Sequence, residues 1–346
     1  MIGTEFIKGQ GLGNQLLCYI SARCIALERG CDFGCVNPQQ VGNVLHEQRG
    51  MYFMKLDMGT EITPEEKKNY TLLQEANERL YTPTSVHDLT HGCYISGADP
   101  AVLTASDNTL LYGNLQAEEY FLKYRDQIRE WLAVNPEFET DRYTRDNLCI
   151  INVRGGEYTD SPELYLDRRY FLNAIRNMKK IRPDMEFIVI TEDVESARKV
   201  LPEYECHHFD MAGDYVAIKN AKYLILCNTS FAVLPALVST TLEKAIAPKY
   251  WARHNVSDGY WSSEQNIYSF LSYQDRKGRL YTAEECRQEL AEYKKSARFA
   301  KKRRTAPEGL SLKLSLIPVR LLRVRFYARK ALRSLLRRTG LIRRAG

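Results

Sequence analysis

Arg154-Gly155-Gly156-Glu157 joins a guanidinium, two residues without side chains and a carboxylate. The guanidinium can hold a phosphate through two parallel hydrogen bonds, and glycines let the main chain approach an anion closely. Farther along, Glu192-Asp193, Asp210 and Asn228-Thr229-Ser230 add carboxylates, an amide and hydroxyls. Hydroxyls at a helix start either contact phosphate or cap the helix, and both uses fit Thr229 and Ser230. Together these residues describe a phosphate-and-sugar cleft. A second glycine run, Gly9-Gln10-Gly11-Leu12-Gly13-Asn14, lies between a strand pattern and a helix pattern. With Asp32 about 20 residues on, it invites dinucleotide binding. Its sixth position is Asn, however, and a tight strand-to-helix connection explains the loop equally well.

For these clusters to meet, the chain must bring them to one edge. The pattern predicts strands over 149–154, 186–191, 205–209, 223–228 and 244–247, with helices over 169–180, 194–201, 213–221 and 231–239 between them. Such alternation with short connections implies a parallel, doubly wound sheet, whose ligands bind beyond the carboxyl ends of the strands. All four clusters fall there. Nearer the N-terminus the pattern predicts a strand at 4–7, then a helix with an apolar face through Leu16, Leu17, Ile20, Cys24 and Leu27 that stops at Gly30. A strand at 31–36 and an amphipathic helix at 121–134 follow. Residues 37–110 lack periodicity and yield no topology. His207-His208 lies in a strand, one residue inward and one outward, which is not a ligand pair.

The chain has 346 residues, 44% hydrophobic and 27% charged, enough for two domains of ordinary size. Its net charge of +6 averages two regions. Residues 294–346 hold 18 Lys/Arg and one acid, Glu308, whereas the preceding 293 residues carry a net charge of −11. Bulk charge is therefore no argument for nucleic-acid binding by the whole chain. The N-terminal residues lack a basic segment followed by an apolar run, so no secretory signal is expected. Nine cysteines without a C-x-x-C read as buried, reduced thiols. From Tyr223 to Leu242 no residue is charged, but Asn228, Pro235 and several hydroxyls point to a buried strand and helix and not to a membrane span.

The basic tail reads as an amphipathic helix. Leu321, Val324, Ala328, Leu332 and Leu335 share a face, set against Arg320, Arg323, Lys330, Arg333 and Arg337. Without the aromatic interleaving that stacks on bases, the expectation over residues 310–342 is a membrane surface and not nucleic acid. A solvated tail and a docking helix are the rivals. This places the protein in the cytoplasm, peripherally on the inner face of the membrane.

Six blocks taken together resemble glycosyltransferase family 11, the α-1,2-fucosyltransferases. Residues 9–15 are similar to its G-G-L-G-N-Q start, and Gly113-Asn114-Leu115-Gln116-Ala117-Glu118-Glu119-Tyr120-Phe121 to its G-Y-W-Q-S-E-K-Y-F. Ile151-Asn152-Val153-Arg154-Gly155-Gly156-Glu157-Tyr158 sits where the family has V-H-V-R-R-G-D-Y. Thr191-Glu192-Asp193, Asn228-Thr229-Ser230-Phe231 and Ala247-Pro248-Lys249-Tyr250-Trp251 resemble its F-S-D-D, N-S-T/S-F and A-P-x-x-W.

The resemblance implies an α/β, GT-B-like fold of two Rossmann-like doubly wound domains plus the basic helical tail. Residues 1–140 would form the acceptor side with the glycine loop, 145–280 the nucleotide-sugar domain, and 281–346 a closing helix and tail. The implied reaction is inverting and metal-independent. It moves fucose from GDP-fucose, or the sugar of another GDP-sugar, to a glycan or lipid-linked glycan in α-1,2 linkage, for surface polysaccharide or glycolipid assembly. No cofactor is implied, and no D-x-D beside an apolar strand suggests a metal.

On this reading Arg154, Glu157 and Asn14 are the candidate catalytic residues. Arg154 would meet charge developing on the diphosphate. Glu157 is the nearby carboxylate, or else the residue that orients Arg154. Asn14 either holds diphosphate or acceptor or caps its helix. Gly11, Gly13, Asn152, Gly156, Asp193, Asn228, Thr229 and Ser230 are the donor-binding candidates. Asp193 and Asp210 would bind guanine or ribose, or cap the helices after them. The general base is not identified. Asn152 replaces the family His, Gly155 its second Arg, Glu157 its Asp, and Val233-Leu234 its Trp pair. Those departures raise an alternative, a catalytically impaired relative acting as a glycan-binding or scaffold subunit.

Overall fold

In the computed structural model the described residues are 1–45, 47–80, 93–161, 163–257 and 259–303, together with separate helical positions between 314 and 335. Met1–Asn77 with Ser96–Leu290 forms one compact unit, and Glu78–Ile95 with Ala291–Gly346 forms a second.

The first unit holds two sheets. The first sheet uses β1 (Ile2–Glu5), β2 (Phe33–Val36), β3 (Thr60–Glu61), β4 (Thr71–Gln74) and β7 (Thr109–Tyr112) in the order β3-β2-β1-β7-β4, all parallel. Helix α1 (Leu12–Arg29) follows β1 and ends where Gly30 adopts φ 64°, the left-handed conformation that glycine takes without steric cost. Short α2 (Pro100–Leu103) precedes β7, and α3 (Arg125–Trp131) follows it.

The second sheet runs β10-β9-β8-β11-β12-β13-β14. Its strands are β8 (Leu148–Asn152), β9 (Glu186–Ile190), β10 (Glu205–His207), β11 (Tyr223–Ile225), β12 (Lys244–Pro248), β13 (Ser272–Gln274) and β14 (Leu280–Thr282). All pair in parallel except β13 with β14. Helices α4 (Arg168–Ile181), α5 (Val194–Val200), α6 (Met211–Lys219) and α7 (Ser230–Val238) connect them, and α8 (Ala283–Lys295) follows β14. Two mostly parallel sheets with covering helices are the α/β, GT-B-like architecture expected.

The period-two alternation of side chains along a strand divides the core. Leu148 and Ile150 of β8 join the apolar cluster shared with α1, α6, α7 and the first sheet. Cys149 and Ile151 join the opposite cluster with Tyr170, Phe171 and Ala174 of α4 and Ala197 of α5. The uncharged stretch after Tyr223 proves to be buried β11 and the buried face of α7. Cys18, Cys24, Cys31, Cys35, Cys149, Cys206, Cys227 and Cys286 are free thiols, and all of these but Cys31 are buried.

Several expected boundaries need correction, and the strand predicted at 4–7 lies two residues earlier, at Ile2–Glu5. The helix predicted over 121–134 begins only at Arg125. Phe121, at φ −141° and ψ −18°, is not α-helical, because buried Glu118 and Tyr120 just before it are tied to other segments. Glu118 accepts from the Ser269 backbone N–H at 2.7 Å and pairs with Arg287, while the Tyr120 hydroxyl accepts from the Asp99 N–H at 2.6 Å. Tertiary contacts thus override local helix preference. The β13–β14 hairpin had no sequence signal, since three-residue strands are too short to show a period. The predicted strands at 205–209 and 223–228 end early, at His207 and Ile225, because the residues beyond leave the ladder for the loops.

In the second unit β5 (Glu78–Leu80) pairs antiparallel with β6 (Cys93–Ile95). Helix α9 (Ala297–Arg303) carries Phe299, whose ring meets Tyr293 at 5.8 Å.

Candidate functional site

Each sheet has one place where the chain reverses direction across it, between β1 and β7 in the first and between β8 and β11 in the second. Loops leaving neighbouring strands diverge at such points, and the gap they leave beyond the strand ends is where open α/β sheets bind ligands. The loops after β1, β7 and β11 converge on Asn14. Its Oδ1 accepts from Gln116 Nε2 at 2.9 Å and from Ser230 Oγ at 2.6 Å. Gln116 in turn accepts from Asn266 Nδ2 at 2.8 Å. Asn14 therefore lies in the first turn of α1 and bridges the two sheets' loops; the helix N-cap is Gly11.

Gly13 explains why those loops meet so closely. A Cβ there would run into the backbone nitrogen of Phe231 and the carbonyl carbon of Ser230, and would lie 2.7 Å from Ser230 Oγ. Gly13 is thus a packing residue between the N-terminal turns of α1 and α7. Gly11 has open space around it. The far end of α7 is held by Arg125 Nε donating to the Leu237 carbonyl at 2.8 Å and Arg129 donating to the Ser239 carbonyl at 3.2 Å. Cations at that end complement the helix dipole.

The loop after β8 is charged and tightly organised. Arg154 pairs with Glu157 at 2.6 Å and with Glu192 at 3.1 Å, and its guanidinium lies 5.5 Å from the Tyr158 ring centre. The Gly155 N–H donates to Glu192 at 3.2 Å, and the Gly156 N–H donates to Asp193 at 2.8 Å. Desolvation raises the Glu192 carboxyl against the pull of Arg154. Burial also acts to raise Asp193, but hydrogen bonds from Ser196 and the Gly156 N–H outweigh it and hold Asp193 below its ordinary value. Asp193 caps α5 by accepting from Ser196 N at 3.0 Å, and Asp210 caps α6 by accepting from Gly213 N at 2.8 Å. Glu157 is thus placed to orient Arg154. A Cβ at Gly155 would lie 2.6 Å from Asp193 Cβ, so the second arginine of the family pattern has no room here. Gly156, with φ 54°, has open space around it.

Asn152 is buried at the end of β8, donating to the Ile190 carbonyl at 3.3 Å and accepting from Cys227 Sγ at 2.8 Å. Thr229 is the N-cap of α7, accepting from Phe231 N at 3.3 Å. Asn228 is 3% exposed. It donates to the Leu164 carbonyl at 3.0 Å, yet its Oδ1 has no hydrogen-bond partner among the described residues. A buried acceptor left unmade is costly, so this oxygen suits a donor group from a ligand or a water.

Two features of the surroundings escaped the sequence reading. Buried Glu75 accepts from the backbone N–H groups of Asn114 and Leu115, at 2.9 and 3.0 Å, and from the Tyr120 hydroxyl at 2.9 Å, which fixes the loop after β7. It lies in the aperiodic stretch, where nothing marked it. His208 is exposed, and its Nδ1 lies 2.7 Å from Asp214 Oδ2, whose carboxyl burial pushes up to about 6. The half-buried His207 ring stacks on Phe209 at 5.5 Å, so neither histidine points inward as expected.

Residues 93–264, about half the chain and spanning the loops after β7, β8 and β11, match the model of glycosyl transferase family 11. The chain is a divergent member of that family. An α-1,2-colitosyltransferase of Escherichia coli is 27% identical over 158 residues, which is 40% of this chain and 54% of that protein. The chain thus matches about half the length of that relative. Among solved structures, POFUT1 in complex with GDP-fucose aligns with a TM-score of 0.40 and 10% identity, covering 71% of this chain and 97% of that one. A glycosyl transferase family 9 protein from Veillonella parvula aligns with a TM-score of 0.34 and 12% identity, covering 72% of this chain and 80% of that one.

Proposed function

We propose that this family 11 member is an inverting, metal-independent glycosyltransferase that uses a GDP-sugar, with GDP-fucose as its donor, and builds an α-1,2 linkage on a glycan acceptor of the galactoside class. The observation that carries the reading is the position of Arg154, a cation in a glycine loop where the second sheet reverses, inside the stretch that matches the family. When the bond between sugar and diphosphate breaks, negative charge grows on the departing oxygen, and a positioned cation with oriented N–H groups stabilises it. Arg154 supplies the cation, and the first turn of α7 supplies N–H groups at the positive end of a helix dipole.

Arg154 is engaged by carboxylates before any donor arrives, so binding must exchange partners. Glu157, whose side chain is 58% exposed, is the partner best able to move away. Before the donor arrives Glu157 is a positioning residue for Arg154, and it is not the base that takes the acceptor's proton. The unpaired Oδ1 of Asn228 then accepts from a hydroxyl of the donor, and Asn14 with Ser230 faces the acceptor side.

The test is a donor panel. GDP-fucose, GDP-mannose and UDP-sugars are each incubated with galactoside acceptors, with and without a chelator, and the released nucleoside diphosphate is measured. Release of GDP from GDP-fucose, unchanged by the chelator, is the expected result; turnover of a UDP-sugar alone would overturn it. One observation favours the second reading, a glycan-binding or scaffold subunit: two carboxylates, Glu157 and Glu192, already pair with Arg154. Acceptor binding without turnover of any donor would establish that role.

A further inference from the structure

Beyond Arg303 the described residues include exposed apolar side chains. The described positions between 314 and 335 are all helical and all exposed. Among them Leu314, Ile317, Leu321, Val324, Ala328, Ala331 and Leu335 recur at alternating spacings of three and four, which aligns them on one side of a helix. Their large members range from 46% exposed at Ile317 to 64% at Val324, with Tyr327 and Leu332 widening the same face. A continuous exposed stripe of this kind marks an interaction surface.

Charge decides between occupants. Residues 309–346 contain no acid, and residues 310–342 contain nine Lys/Arg. A second copy of the helix would be the natural partner for a three-four repeat. In a parallel pair, however, Arg320 and Arg325 flank the seam at the positions that face each other across it, and no acid is available to neutralise them. An anionic lipid surface satisfies both features at once, taking the apolar face into its acyl boundary and the arginines among its head groups. We infer that the described helical positions from Leu314 to Leu335 belong to a peripheral anchor for an anionic lipid surface. No helix among the described residues is long and apolar enough to cross a membrane.

The experiment is co-sedimentation of the full chain with phosphatidylcholine vesicles, with or without phosphatidylglycerol. The anionic vesicles should bind at least about tenfold more tightly, and the advantage should shrink as salt is raised. The double variant Leu321→Asp/Val324→Asp should weaken binding to anionic vesicles by about tenfold or more while GDP binding is unchanged, which separates this inference from the donor reading. Arg320→Gln/Arg325→Gln should lose less and should flatten the salt dependence. Equal binding to neutral and anionic vesicles, or none to either, would overturn the inference. So would a dimer, seen by sedimentation equilibrium without lipid, that the Leu321→Asp/Val324→Asp variant dissociates.

Discussion

The two glycine loops of this protein look alike in sequence and do opposite work. Each follows a central parallel strand at the point where its sheet reverses. The loop after β1 is closed: Gly13 lets the backbones of α1 and α7 touch, and Asn14 locks the contact with two hydrogen bonds. The loop after β8 stays open at Gly156 and holds a charged side chain, Arg154, among carboxylates. Glycine after a strand therefore signals close approach of something, and only the neighbours say whether that is a helix backbone or a ligand.

Substitutions at these loops separate the two uses. Gly13→Ala has the largest effect expected, because the new methyl meets backbone atoms that cannot turn aside. We predict a loss of about 3 kcal/mol or failure to fold, measured by denaturant unfolding. A stable Gly13→Ala protein would mean that the two helices are not in close contact. Gly155→Ala should follow at about 2 kcal/mol, since the methyl meets Asp193 Cβ, which moves only with its backbone, and so disturbs the cap that Asp193 makes.

The same variant carries a pH signature. Asp193 is held below its ordinary value of 3.8, so its contribution to stability is present above that value and is lost as pH falls through the lowered one. Gly155→Ala should therefore flatten the acid limb of the stability profile, and an unchanged limb would show that Asp193 had not moved.

Next in size is the bridge between the sheets. A double-mutant cycle of Asn14→Ala and Ser230→Ala should show a coupling of about 1 kcal/mol. Additivity would mean that the 2.6 Å contact does not form in solution. Gly11→Ala should be nearly silent in unfolding, below about 1 kcal/mol, because it has open space and sits at the cap.

Much of the second sheet was legible because its strands are continuous apolar runs separated by short amphipathic helices, each of which declares a period. The clusters at its strand ends could thus be placed at one edge from sequence alone. The first sheet was less legible. Strands β3, β4 and β7 are two to four residues long, and their connections wander through aperiodic sequence. Glu75 could not be singled out there, although its carboxylate holds the loop beside Asn14. The site residues were found by type and position, but their partners were not. Sequence could not show that Ser230 serves Asn14 while Thr229 serves the helix cap, or that Gly13 packs where Gly156 stays open. Those distinctions depend on which backbone lies opposite, which is a tertiary property.

The central claim is that Arg154 holds the diphosphate of the donor. Calorimetric titration of GDP into the wild-type chain and into Arg154→Ala tests it most directly, with circular dichroism confirming that the variant is folded. Charge-assisted hydrogen bonds to a diphosphate predict an affinity loss of roughly 10- to 100-fold in Arg154→Ala. Equal affinities in the two folded proteins would contradict the account.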